Sequence, residues 1–157
     1  MVKIMNVSKE TDKLEVRKRI NKLISSARKN AKPKVCELCG KEKTSFCNSH
    51  SVPQMSLRPI ADNGVVLHAS AALGFDKDII NIENGIKKSG TFRYICNDCD
   101  GSFFQDYENP SNILKVPTDK MLGEIAVKNF LLQMSKRSDE IELWNIIQQD
   151  MNAFENF

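Results

Sequence analysis

Residues 36–54 read CELCGKEKTSFCNSHSVPQ and hold three of the chain's five cysteines and one of its two histidines. Cys36 and Cys39 are spaced so that two thiolates reach one ion from a single tight turn. Gly40 follows, where such a turn favours a positive φ. A second pair, Cys96-x-x-Cys99, lies 56 residues further on. The opening MVKIMNVSKETDK lacks the apolar run of a secretory signal, so a cytoplasmic location is expected. Cysteines there stay reduced, and paired ones point to metal before disulfide.

Two donor sets fit these spacings. Cys36, Cys39, Cys96 and Cys99 make a four-sulfur site for structural zinc. This set is preferred, because a second Cys-x-x-Cys is hard to explain as coincidence. Cys36, Cys39, Cys47 and His50 would close a compact three-cysteine, one-histidine site, and that alternative stays open. In the preferred set Cys47 is a small buried residue and His50 is free for other work. The wide gap between the pairs leaves room for an inserted hairpin. Both pairs serving separate ions across an oligomer is also compatible with the spacing.

On the N-terminal side, residues 8–31 read as a helix with Ser8 or Thr11 as cap and Pro33 as stop. Val16, Ile20, Leu23, Ile24 and Ala27 recur at helical spacing and make one apolar stripe. Arg17, Lys18, Lys22, Arg28 and Lys29 occupy the rest of the surface. Residues 1–35 hold eleven Lys/Arg against three Asp/Glu, whereas 36–118 and 119–157 are net acidic. The overall +3 therefore comes from the N-terminal arm. Such a block suits nucleic-acid phosphates, with a merely solvated helix face as the plain alternative.

Between the pairs, Asp62-Asn63-Gly64 is a turn signal ahead of a short strand, Val65-Val66-Leu67. TFRYIC (91–96) alternates like a strand, and CDGSFFQDYEN (99–109) reads as a short helix that places Phe103 and Phe104 in the core. His68 has no partner motif and reads as structural or surface. Two helices follow, 119–134 and 138–152, with Phe130, Ile141 and Trp144 on faces that read as buried. No run of eighteen apolar residues exists, so no membrane span is expected. The expected fold class is α+β: a zinc core with a small β-hairpin, flanked by one N-terminal and two C-terminal helices. It divides into a basic helix (1–33), a zinc-binding core (34–117) and a C-terminal helical segment (118–157).

CELCGK (36–41), NSHSVPQ (48–54) and ICNDCD (95–100) together resemble the zinc-stapled form of the HNH endonucleases, which share a treble-clef, ββα-metal core. The chain is also similar to a less characterised bacterial and phage group with CxxC, SHxIP and CxxC[DE] motifs followed by F and [YW]-E. Those last elements match Cys96, Cys99, Asp100, Phe103 or Phe104, Tyr107 and Glu108. The resemblance covers roughly residues 34–110. It implies His50 as general base, Asp100 as a catalytic metal ligand, and Mg2+ or Mn2+ as the catalytic ion. The chain departs from the HNH pattern in having Ser49 before the histidine. No asparagine stands in 91–95, Asn81 and Asn84 being the nearest, and Asp100 stands where a histidine or asparagine is usual.

The first functional expectation is a metal-dependent endonuclease acting on nucleic acid, DNA before RNA. The alternative is a catalytically degenerate zinc module that binds nucleic acid or a partner protein, as part of a larger defence or mobile-element protein. A partner-binding module would expose an apolar patch around Trp144 or around Phe154 and Phe157.

Overall fold

A computed structural model describes residues 10–67 and 83–155. Ser8, His68, Asn81 and Phe157 lie outside them. The class is α+β. Helix α1 (Glu10–Asn30) contains no glycine or proline, and its chain turns off just before Pro33. Its stripe Val16, Ile20, Leu23 and Ile24 is half-buried and Ala27 fully buried, along the flank of a long helix near the C-terminus.

The middle of the chain is built from very short elements. Strand β1 (Ser49–His50) pairs antiparallel with β4 (Thr91–Phe92), in the register Ser49 to Phe92 and His50 to Thr91. A four-residue helix, α2 (Gln54–Leu57), follows β1. Strands β2 (Val65–Leu67) and β3 (Glu83–Gly85) form the inserted hairpin. The turn signal before β2 is real. Asn63 and Gly64 have φ of 49° and 76°, and Asp62 and Val65 exchange two backbone hydrogen bonds across them. Two consecutive positive φ values are what asparagine followed by glycine tolerates. The expected strand 91–96 is shorter, only Thr91–Phe92. Beyond it the carbonyls turn to the first cysteine segment: Tyr94 O accepts from Glu37 N–H (3.1 Å) and Ile95 O from Cys47 N–H (2.8 Å).

Helix α3 is Asn97–Phe103, earlier and shorter than the expected 99–109, with Cys96 in extended conformation as its N-cap. Asp98 and Asp100 in its first turn suit the helix dipole. At its end Phe104 turns inward and is 1% exposed, while Phe103 faces solvent at 54%. The expectation that both are core thus holds for one only. Helix α4 (Asp119–Glu155) is a single helix of 37 residues rather than two. The polar stretch Ser135–Ser138 contains no breaker. Ser138 accepts a hydrogen bond from the Tyr94 hydroxyl, and Asp139 pairs with Arg28 of α1, so polarity here marks a contact and not a loop. Phe130, Ile141 and Trp144, read as buried, are exposed. No described helix is long and apolar enough to cross a membrane.

The core gathers Cys36, Phe92, Tyr94, Ile95, Cys96, Cys99, Phe104 and Leu131. Gly90 closes the loop that feeds β4. Its φ is +61°, and an added Cβ would lie 3.1 Å from Ser51 Oγ. Gly90→Ala is expected to destabilise by about 1–2 kcal/mol in urea unfolding, from left-handed strain plus the close contact. Gly101→Ala, in α3 with nothing within 4 Å, is expected to be neutral or mildly stabilising. Equal effects at both sites would remove the strain argument.

Candidate metal centre and basic groove

The first cysteine pair sits in a tight turn. Gly40 has φ +66° and donates its N–H to Cys36 O (2.8 Å), and Cys36 N–H donates to Lys41 O (2.9 Å). The second pair arrives with Cys96 at the N-cap of α3 and Cys99 one turn in. The sulfurs of Cys36, Cys39, Cys96 and Cys99 all lie within 4.8 Å of one another, and those of Cys39 and Cys96 are 4.0 Å apart. A tetrahedron with metal–sulfur bonds of about 2.3 Å has edges of about 3.8 Å, so the cluster can hold one ion such as zinc. Burial opposes ionisation of Cys36. The amide N–H groups of Cys96, Cys39 and Leu38 outweigh it and bring that thiol down to about 6. The Cys96 N–H lies 3.3 Å from the sulfur. In the absence of an ion, burial and the neighbouring sulfurs push Cys99 well up.

Cys47 belongs elsewhere. Its Sγ donates to Asp100 Oδ2 (3.0 Å), and burial together with that carboxylate raises it to about 12. The compact three-cysteine, one-histidine set is therefore not the one assembled. Cys47 is half-buried, and it hydrogen-bonds instead of merely filling space.

His50, on β1, is 9% exposed. Its Nε2–H donates to the carbonyl of Ile86 at 3.2 Å, which orients the ring. Asp100 accepts from Ser49 Oγ (2.5 Å), Cys47 Sγ and Lys128 Nζ (3.2 Å). Burial works against its charge, but these three donors hold its carboxyl below the usual range. Among the described residues no hydrogen bond joins His50 to Asp100.

Lys128, from α4, is the residue that sequence reasoning missed. It is 0% exposed, pairs with Asp100 and with Glu108, and lies over the Phe104 ring at 4.5 Å. Tyr107 ties the same segment to α4 and to the loop after β1. Its N–H donates to Glu124 Oε2 (2.7 Å) and its hydroxyl to Ser51 O (3.1 Å). Asp100, Phe104 and Glu108, some 20 to 28 residues upstream, thus meet around one ammonium, and Ser49 joins them through its hydrogen bond to Asp100. A signal for it was present: Glu124, Lys128 and Leu131 recur at helical spacing on one face, which puts two charges on the buried side.

A groove of about 550 Å3 opens where the end of α1, the β4 hairpin and α4 meet. Arg28, Lys32, Lys88, Arg93 and Lys136 line it, against a single acid, Asp139, which lies 3.6 Å from Arg28. Of the five nominated cations only Arg28 reaches it. Lys18, Lys22 and Lys29 are exposed along α1 and Arg17 is half-buried. Lys88, Arg93 and Lys136 form no run in the sequence and were not nominated. No family model matches this chain, and neither a curated protein nor a solved structure is significantly similar to it.

Proposed function

We propose that the chain is a zinc-held module that binds nucleic acid, duplex DNA before RNA, by its phosphate backbone. The observation that carries this reading is the groove: five cations converge from three separate stretches with one acid among them. Phe92 and Tyr94 line the same groove but are buried, so they offer no face for base stacking. Contact is then to phosphates and carries no sequence information. The order of elements supports a treble-clef, HNH-like scaffold for residues 34–110: a CxxC turn, a histidine in a strand, and a CxxC opening a helix.

Anisotropy of a labelled duplex tests the binding. Affinity is expected to fall about 10²-fold or more between 50 and 200 mM salt, as four or five phosphates release counterions. Arg93→Glu and Lys136→Glu should each weaken binding by about tenfold and flatten the salt slope. Lys18→Glu should do neither to the same degree. Tight binding unaffected by the two groove substitutions would sink the reading.

An HNH-type endonuclease is the second reading, favoured by the placement of His50 on β1, where its ring is oriented by the Nε2–H bond to Ile86 O. Against it, the ammonium of Lys128 already engages Asp100 and Glu108, the carboxylates that would serve a Mg2+ or Mn2+ ion. Plasmid cutting by the wild type with either ion, lost in a folded His50→Ala variant, would put this reading first.

A further inference from the structure

Helix α4 has two apolar faces. One, with Leu131 and the buried Lys128, lies on the core. The other points to solvent: Phe130, Ile141 and Trp144 are 59–72% exposed, and Val127 and Met134 stand beside them. Val127, Phe130, Met134, Arg137, Ile141 and Trp144 recur at alternating steps of three and four, the repeat of a coiled-coil seam. Their five apolar members expose on the order of 500 Å2 per copy, as side chains of this size do. Two copies then reach about 1,000 Å2, the lower bound for a specific interface.

We propose that this seam pairs with the same seam of a second copy, antiparallel, to make a homodimer. The side chains themselves favour this occupant and this direction. Antiparallel pairing sets Val127 against the second copy's Trp144, Phe130 against its Ile141, and Met134 against its Arg137. The outer layers pair the small Val127 with the large Trp144, and the Arg137 stem covers the Met134 side chain while its guanidinium stays on Glu140 of its own helix. Parallel pairing would instead set Arg137 against Arg137, two like charges inside the seam. The flanking positions Gln133, Ser138, Glu140 and Asn145 carry one charge, so they offer little repulsion to a second copy.

Sedimentation velocity of the full chain, from 1 to 100 µM, tests this. The wild type is expected to move to twice 17.8 kDa within that range. Phe130→Glu and Ile141→Lys, both at exposed positions, are each expected to stay monomeric with unchanged circular dichroism and zinc content. Mixing the two is expected to restore a dimer, because antiparallel pairing places the new glutamate opposite the new lysine. A wild type that is monomeric at 100 µM, or a dimer that survives either substitution, overturns the interface. A wild-type dimer without rescue on mixing overturns the antiparallel arrangement.

Discussion

Stripping the metal with a chelator is expected to unfold the stretch from Lys34 to Glu108 and to leave α1 and α4 as frayed helices. Among the described residues of that stretch the strands are two or three residues long. Among the described residues ten apolar side chains are buried, and three of them are the cysteines Cys36, Cys96 and Cys99. A core this small does not offset the conformational entropy of the loops around it. Structural zinc in small domains contributes roughly 10–16 kcal/mol of apparent free energy at neutral pH, which equals or exceeds the whole stability of a typical domain. One zinc per chain is expected by release into a colorimetric chelator. Cys96→Ser and Cys99→Ser are expected to lose the metal and the cooperative melt together. Cys47→Ser should retain full zinc, since Cys47 bonds to Asp100 and stands outside the cluster. A melt that ignores the chelator would refute the structural role of the site.

Lys128→Met is expected to cost about 3 kcal/mol or more, second in size only to loss of the metal. The ammonium is fully buried between Asp100 and Glu108, and removing one partner of such a group leaves buried charge without compensation. In a chain of this length that corresponds to a fall of roughly 6–12 °C in Tm. Neutralising the carboxylates as well, in the triple variant Lys128→Met with Asp100→Asn and Glu108→Gln, should recover part of the loss. The penalty arises from the unpaired charges more than from the missing side chain. A Lys128→Met protein within 0.5 kcal/mol of wild type would show that the ammonium is dispensable.

How far the sequence led depended on whether a feature was local. The Cys36–Cys39 turn with Gly40, the Asn63-Gly64 turn and the apolar stripe of α1 are each set by neighbours within a few residues, and each is found as read. The four-cysteine set was legible because its pairs each carry their own spacing. Lys128 was hidden because a lysine on an amphipathic helix reads as solvent-facing until its partners, two of them more than fifteen residues upstream, are known to fold beneath it. The groove was hidden for the same reason, since Lys88, Arg93 and Lys136 come from separate segments. The two expected helices, 119–134 and 138–152, are one, and the polar residues between them face Tyr94 and Arg28 across the fold.

The carbonyls of Tyr94 and Ile95 receive the N–H groups of Glu37 and Cys47, so beyond the two-residue β1–β4 ladder the two cysteine segments are joined by single backbone bonds. So short a ladder holds these amides closed only weakly once the sulfurs part. Hydrogen exchange at Glu37 and Cys47 and departure of the ion then become one event on one clock. With zinc held by the four cysteines, its residence time is expected to set how often these two amides open to solvent.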